Sequence, residues 1–255
     1  YETIVEWNWD RNYDVALNLE RQGLQEWVSG TAFEPDRVLP DVGKGFLSTT
    51  AGAMMRLDAE WNSRCVHDGN DAGSGAREWS VLRLNSDTRD WYIFDGDRII
   101  GANAVLVETS TIGYEGQAVS FEFTFSAGNC SAALSWGFPA EWQVAYSVDG
   151  RNFIPVQKTF LLRPVWYTAA NIKELGGVRE MCYDAAPGSI ECRVTMPSFL
   201  LGKEKVYFRI YPSSNKLTVL PENPEDDINS GTMTNGFSHQ FVLRLGKVSV
   251  KSLKN

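Results

Sequence analysis

The segment WQVAYSVDGRNFIPV, Trp142 to Val156, combines two strand-like runs with a central Asp149-Gly150 pair. Alternation of apolar and polar residues with a period of two is typical of strands that bury one face. An Asp-Gly pair supplies the positive φ that a two-residue hairpin turn needs. The segment therefore predicts a β-hairpin closed by a two-residue turn, which serves as scaffold.

Strand-like runs of the same kind recur along most of the chain, separated by turn residues. The clearest is Ala118–Ala127, which alternates four apolar residues (Val119, Phe121, Phe123 and Phe125) with Ser120, Glu122 and Thr124. Its pattern predicts one core face and one wet face. The other predicted strands are Thr3–Trp9, Gly52–Ala59, Trp79–Leu84, Trp91–Asp95, Ala102–Ser110, Ala132–Phe138, Glu141–Val148, Gly188–Met196, Lys205–Ser213 and His239–Leu253.

Two segments indicate helix, and one indicates a long loop. Asp14–Val28 places apolar residues on one helical face, and Ala169–Leu175 fits a short helical turn. Ser213–Gly236 is polar and rich in Gly and Pro, which predicts an exposed loop. The predicted fold is an all-β jelly-roll sandwich with short helical excursions. We expect one domain, residues 1–255, in which roughly the first 50 residues form a strand plus an irregular or helical excursion.

Composition limits the partners of the chain. Its 255 residues are 43% hydrophobic and 12% aromatic, with a formal net charge of −8 and scattered Lys and Arg. Nucleic acid and anionic membranes attract basic patches, so neither is expected as the main partner. No apolar run approaches the roughly 20 residues that cross a bilayer. Because no signal peptide opens the sequence, we expect a mature or trimmed form.

The four cysteines leave two alternatives open. Cys182 and Cys192 flank Pro187-Gly188, which has the composition of a hairpin tip. A cross-strand disulfide between them would suit an exported protein, whereas two buried free thiols would suit any compartment. Cys65 and Cys130 have no obvious partners, and a zinc site is not expected because CxxC pairs are absent and only two histidines occur.

Three segments, Leu134–Val156, Lys205–Lys216 and Arg244–Lys251, carry a family resemblance. They resemble the galactose-binding-like, or discoidin-like, β-sandwich modules of Bacteroidetes outer-surface lipoproteins. The resemblance covers the second half of the chain, and residues 1–110 fit it more loosely. It implies an exported protein of the cell envelope, on the outer-membrane surface or in the periplasm, associated with glycan capture or breakdown. Its membrane link would be a lipid anchor on a cysteine before Tyr1.

Exposed aromatic residues are the first candidate for a binding site. Sugars stack their C–H faces on aromatic rings while amide and charged groups bind the hydroxyls. Trp166 and Tyr167 adjoin a predicted loop with Arg163 and Asn171 close by, and Trp91 offers another ring. The alternative for each ring is that it fills the core, and this alternative is favoured for Trp91 because it lies in a predicted strand.

Clustered acidic residues are the candidates for a structural calcium site. Asp95 and Asp97 lie in the stretch FDGD, and Pro224–Asn229 supplies a second set of oxygen ligands. Neither stretch follows a strict ligand spacing. The first is equally a turn, and the second is equally a solvated acidic loop.

Catalytic motifs are not apparent. His67 and His239 lie in no Ser-His-Asp frame, no phosphate-binding glycine motif occurs, and no acidic pair is fixed by spacing. We therefore expect a non-catalytic module that binds the glycan of a polysaccharide or glycoprotein. A subunit that docks onto another envelope protein through Asp227–Gly236 is the alternative, and a glycoside hydrolase is the third. An aromatic ring exposed in a concave site would favour sugar over docking.

Overall fold

The computed structural model describes residues 1–8, 28–29, 37–52, 54–58, 81–128, 137–162, 190–218 and 231–254. In these ranges the regular structure is β-strand apart from two short 3-10 helices, Thr88–Trp91 and Ser198–Leu200. The predicted all-β class is confirmed. The strands are β1 (Glu2–Trp7), β2 (Val28–Ser29), β3 (Val42–Gly43), β4 (Gly45–Thr49), β5 (Met54–Asp58), β6 (Val81–Asp87), β7 (Tyr92–Asp95), β8 (Arg98–Ala102), β9 (Val105–Thr109), β10 (Ala118–Gly128), β11 (Glu141–Ser147), β12 (Ile154–Leu161), β13 (Ile190–Pro197), β14 (Val206–Pro212), β15 (Lys216–Leu217), β16 (Gly231–Thr232) and β17 (Gln240–Leu253).

Two antiparallel sheets face each other. The larger follows the order β13-β10-β17-β6-β5-β2, with β1 also paired to β17 and β3 paired to β1. The smaller follows the order β12-β11-β14-β9-β4. Aromatic rings join the two sheets: Phe121 stacks on Phe208 at 5.1 Å, and Phe125 meets Trp142 edge to face at 4.9 Å. The described strands therefore form a β-sandwich around an aromatic core.

The alternation predicted for β10 is confirmed on its apolar face. Its one valine and three phenylalanines are all buried, at most 3% exposed. Ser120, predicted to be wet, is buried as well, and its hydroxyl donates to Glu122 Oε1 at 2.9 Å. A small side chain on a strand paired on both sides, as β10 is with β13 and β17, is easily covered by its neighbours.

The predicted hairpin is confirmed, but its two-residue turn is wrong. β11 and β12 pair antiparallel, and Gly150 adopts the expected positive φ of +71°. The strands end at Ser147 and resume at Ile154, so the connection is the six-residue loop Val148–Phe153. Ser147 Oγ accepts from the N–H of Gly150 at 3.0 Å, and Asp149 Oδ1 accepts from the N–H groups of Arg151 and Asn152 at 2.8 Å. These side-chain acceptors stabilise a wider loop in place of the tight turn.

Two other predictions are corrected within the described residues. Trp91 ends a 3-10 helix rather than beginning a strand, because Asp87 and Asp90 form a reciprocal capping box. The predicted exposed loop Ser213–Gly236 contains the paired strands β15 and β16, and Leu217 and Met233 are buried there. Apolar residues scattered in a polar segment can still anchor it to the core.

The predicted helices fall almost entirely outside the described residues. Of Asp14–Val28 only Val28 is described, and it begins the strand β2; Ala169–Leu175 is not described. His239–Leu253 is confirmed as one long strand, β17, from Gln240 onward. Among the described residues, no helix has the length and apolar character of a bilayer span. The single-domain assignment stays a prediction.

Candidate functional site

The outer face of the smaller sheet carries an aromatic and cationic row on β14. The sequence VYFRIYP buries Val206, Phe208 and Ile210 against the core. The residues between them, Tyr207, Arg209 and Tyr211, are only half-buried. Side chains on one strand alternate between faces, so these three share the outer face of the sheet.

A groove of about 730 Å³ lies where the far end of β14 meets the β7–β8 hairpin. Ile93 and Ile100 of the hairpin line one side and are 42% and 54% exposed. Arg209 and Tyr211 line it from the sheet. The groove therefore combines apolar contact surface with converging polar groups, as ligand sites commonly do.

Aromatic rings hold Arg209 in place. Its guanidinium carbon lies 4.6 Å from the centre of the Phe153 ring and 4.3 Å from the centre of the Tyr211 ring. Contacts of this kind stabilise a cation through the negative faces of the rings. The Nε atom of Arg209 is buried and finds no hydrogen-bond acceptor among the described residues. Arg209 is thus a groove-lining cation held between two aromatic rings.

Tyr211 is fixed through its hydroxyl. This group donates to Gln143 Oε1 at 3.0 Å, and the amide nitrogen of Gln143 donates in turn to the carbonyl of Val156. Burial raises the pKa of the Tyr211 hydroxyl, although Arg209 beside it acts in the opposite direction. The phenol is therefore neutral at physiological pH, and its ring is held at a set angle.

Hydrogen bonds also fix the segments around the groove. The hydroxyl of Tyr92 donates to the carbonyl of Ser214 at 3.0 Å, and the amide of Asn235 donates to the carbonyl of Gly96 at 2.8 Å. Burial, and secondarily the charge of Glu141, raises the pKa of Tyr92, so this hydroxyl keeps its proton. Ser213 Oγ is buried with no partner among the described residues. The hydrogen bonds of Tyr92 and Asn235 therefore hold the segments that form the groove walls.

The stability that the Val148–Phe153 loop contributes is expected to depend on pH. Hydrogen bonds from the backbone N–H groups of Asn152 and Arg151, then from the side chains of Asn152 and Ser147, lower the pKa of Asp149. A carboxylate with a lowered pKa stabilises the fold above its unfolded-state pKa of about 3.9, and this stabilisation is lost as pH falls through the folded-state pKa. Asp149→Asn should therefore destabilise the protein at pH 7, and its deficit should shrink below about pH 4.

Urea unfolding of both proteins at pH 7, 4 and 3 measures this deficit, and NMR titration of the Asp149 carboxyl measures its pKa. A deficit that stays constant across this range, with a carboxyl that titrates near 3.9, would contradict the assignment.

Trp91 lies in the core and not in the groove. Its ring is 0% exposed, meets Trp142 edge to face at 5.3 Å, and donates from Nε1 to Ser86 Oγ at 2.6 Å. Its position at the end of the 3-10 helix turns the ring inward, so it offers no open face to a sugar. Trp91 therefore fills the core, as the favoured alternative predicts.

Arg163, Trp166, Tyr167 and Asn171 lie outside the described residues, so their role in sugar binding stays a prediction. Two aromatic residues line the groove, the buried Tyr92 beside Trp91 and the half-buried Tyr211, and Tyr211 is not among the sequence candidates. Its signal was present in the alternation of Lys205–Ser213, which sets Tyr, Arg and Tyr on one face of a strand with a hydrophobic opposite face.

The acidic candidates for calcium lie at the tip of the β7–β8 hairpin. Asp95 and Asp97 are both exposed on either side of Gly96, and Asp95 pairs with Arg98 at 3.8 Å. The described part of the chain contains no cluster of three or more His, Cys, Asp or Glu side chains placed to share a metal. Residues 224–229 lie outside it. A calcium site stays a prediction, to be tested with the chelator experiment below.

Cys192 is half-buried and has no disulfide partner among the described residues, which do not include Cys65, Cys130 or Cys182. Burial raises the pKa of the Cys192 thiol to about 11, although Lys158 acts to lower it. The thiol is therefore protonated and unreactive at neutral pH. The choice between a disulfide and free thiols stays open.

Comparison with known proteins gives only remote structural likenesses. No family model matches the chain, and no curated protein matches it. Among solved structures, the K1 cleaved adhesin domain of Lys-gingipain from Porphyromonas gingivalis W83 is 12% identical, with a TM-score of 0.32 over 82% of this chain and 99% of that one. A family GH115 4-O-methyl-alpha-glucuronidase is 9% identical, with a TM-score of 0.27 over 68% of this chain and 14% of that one. The botulinum neurotoxin serotype C1 binding domain is 9% identical, with a TM-score of 0.30 over 100% of this chain and 49% of that one. Likeness at this level carries no functional argument.

Proposed function

We propose that the chain is a non-catalytic domain that binds glycans in the groove between β14 and the β7–β8 hairpin. The observation that supports this most directly is a fixed aromatic ring, Tyr211, in a concave site that also has apolar and charged walls. The groove volume of about 730 Å³ lies within the common range for small ligands, about 300–1,000 Å³. An aromatic ring in a concave site is the feature that separates sugar binding from docking.

In this proposal, different groove residues contact different parts of the sugar. Tyr211, Ile93 and Ile100 contact the apolar C–H faces of sugar rings. Arg209 lines the same groove and supplies hydrogen-bond donors for polar groups of the sugar. Weak stacking contacts combined with hydrogen bonds give affinity that depends on the pattern of hydroxyls in the sugar.

The setting in the cell is part of the same proposal. The resemblance of Leu134–Val156, Lys205–Lys216 and Arg244–Lys251 to galactose-binding-like modules supports a jelly-roll arrangement and display on the cell envelope through a lipid anchor. In that position the domain would hold a polysaccharide or glycoprotein sugar close to the cell surface.

Tyr211→Ala should reduce affinity for the glycan by roughly ten- to a hundredfold, because it removes the aromatic platform and releases Arg209. A glycan array identifies the ligand, with the protein in calcium and again in chelator, and titration calorimetry then measures the variant. Loss of binding in chelator would support the predicted calcium site. Tyr207→Ala, on the same face of β14 but outside the groove, is the matched control and should bind as the unchanged protein does. Equal affinity in both variants would contradict placement of the site in this groove.

Docking onto another envelope protein is the second candidate function. The exposed isoleucines Ile93 and Ile100 favour it, since two exposed apolar side chains on one hairpin also suit a protein interface. The predicted docking segment is partly tied into the fold, because β16 and the buried Met233 belong to it. A blank glycan array in both conditions would favour docking.

A further inference from the structure

We propose, on the basis of the function proposed above, that the groove selects glycans that carry carboxylate groups, and that Arg209 is the residue that binds the carboxylate. The substrate class is therefore uronic-acid-containing oligosaccharides rather than neutral sugars. Three observations carry this inference: the unpaired charge of Arg209, its fixed geometry, and the pairing of the other charges on the same face.

Arg209 has no acidic partner among the described residues. The other acidic side chains near it on the outer face of the sheet are already paired: Glu108 contacts Lys205 at 3.2 Å, and Glu141 contacts Lys216 at 2.7 Å. The hydrogen bond from Lys216 is the main reason that the pKa of Glu141 is lowered. Arg209 is thus the cation among the described groove-lining residues, and the carboxylates of Glu108 and Glu141 on the surrounding sheet face are paired with lysines.

The geometry of Arg209 prepares it for a planar anion. The ring centres of Phe153 and Tyr211 lie 4.6 and 4.3 Å from the guanidinium carbon of Arg209. Because these contacts already restrict the side chain, less conformational entropy is lost when it binds a ligand. A carboxylate offers two coplanar oxygens that match two parallel N–H donors of a guanidinium, which a single hydroxyl does not.

Asp97 supplies an opposing charge and a second test. It is the carboxylate among the described residues that line the groove, and it is exposed at the hairpin tip. Water and salt screen an exposed charge, so it weakens binding of an anion only modestly. Its removal should therefore strengthen binding of an acidic glycan, the opposite of the result expected for Arg209.

The experiment is titration calorimetry of the full chain with tetrasaccharides of galacturonate, alginate and hyaluronan, each beside its carboxyl-reduced neutral counterpart. We expect at least one acid to bind, and its neutral counterpart to bind roughly ten- to a hundredfold more weakly, as for a lost charged hydrogen-bond pair. Equal affinity of each acid and its neutral counterpart, or binding of neutral sugars alone, would overturn the selectivity while leaving glycan binding intact. A blank with every sugar, acidic and neutral, would overturn the selectivity, and a blank on the glycan array as well would overturn both proposals.

Substitutions test whether the preference for acidic sugars arises in the groove. Arg209→Met keeps the aliphatic stem and should abolish the preference for the acid, whereas Arg209→Lys keeps the charge without the planar fork and should restore it only in part. Arg193→Met is the matched control, because Arg193 pairs with Glu122 on the larger sheet at 3.0 Å and lies outside the groove. Thermal unfolding of each variant checks that it is folded.

Asp97→Asn gives a result that does not depend on the folding of the Arg209 variants. It should raise affinity for the acidic tetrasaccharide roughly two- to fivefold at low salt, and less at high salt. A loss of affinity in this variant would contradict the inference, and if chelator produced the same loss, a calcium bridge would hold the acid in place of Arg209.

Discussion

Trp142→Ala should lower the free energy of unfolding by about 3–5 kcal/mol, the range for deletion of a large buried aromatic side chain. The indole is fully buried and packs edge to face against Phe125 at 4.9 Å and Trp91 at 5.3 Å. Its Nε1 also donates to the carbonyl of Pro139 at 2.7 Å, and this acceptor loses its partner in the variant. The expected loss of stability therefore has two causes, a cavity between the two sheets and an unsatisfied carbonyl.

Chemical denaturation monitored by circular dichroism measures this effect. Phe199→Ala is the matched control: its ring is 50% exposed and contacts Tyr146 at 5.9 Å, so the loss should stay below about 1 kcal/mol. Comparable losses in the two variants would show that Trp142 does not lie at the centre of the sandwich.

Gly43→Ala should be the second large effect, a loss of about 2–5 kcal/mol. Gly43 has a φ of +80°, where an L residue costs roughly 1–2 kcal/mol. A Cβ at this position would lie 2.0 Å from the carbonyl oxygen of Ile4, a backbone atom of β1, so the paired strands β1 and β3 must separate to accept it. Overpacking of this kind adds roughly 1–3 kcal/mol.

Gly96→Ala measures the free-energy cost of a positive φ without a steric clash. Gly96 has a φ of +59°, but a Cβ there would meet nothing within 4 Å. Its expected loss is therefore only about 1–2 kcal/mol. Denaturation curves of the two variants, measured side by side, should differ by the steric contribution. Identical losses would mean that β1 and β3 do not approach as closely as the structure shows.

The sequence predicted those parts of the fold that are set by local pattern. The alternation of β10 identified its core face, and Asp149-Gly150 identified a hairpin with a positive φ at Gly150. Both signals come from residues that are adjacent in the chain, and local backbone preference is enough to define them. The width of the hairpin loop was not predicted because it depends on which backbone N–H groups Asp149 accepts from.

Features without a strand-like alternation were predicted less well. The strand-forming residues that follow Trp91 predict a strand there, whereas the capping box formed by Asp87 and Asp90 favours a 3-10 helix. Met233 was assigned to an exposed loop because it is isolated among polar residues, yet it packs into the core. A single apolar residue has no periodicity, so only the fold shows what covers it.

The candidate groove depends partly on local sequence pattern and partly on contacts between distant strands. The half-buried Tyr and Arg residues on the outer face of β14 follow from the alternation of that strand alone. Their juxtaposition with the β7–β8 hairpin depends on the pairing of β9 with β14, in which Leu106 lies opposite Arg209. No local pattern connects Arg209 with Ile93 or Ile100, which precede it by more than a hundred residues in the chain.

The position of β17 has a consequence for biogenesis. This strand, residues 240–253, lies between partners from three distant parts of the chain, β1, β6 and β10. Pairing over such long sequence separations is slow, because the loops must close before the contacts form. The larger sheet therefore cannot close until these residues have been synthesised and have left the ribosome. Until then the edges of β10 and β1 that face β17 stay unpaired, and unpaired strand edges are prone to aggregate.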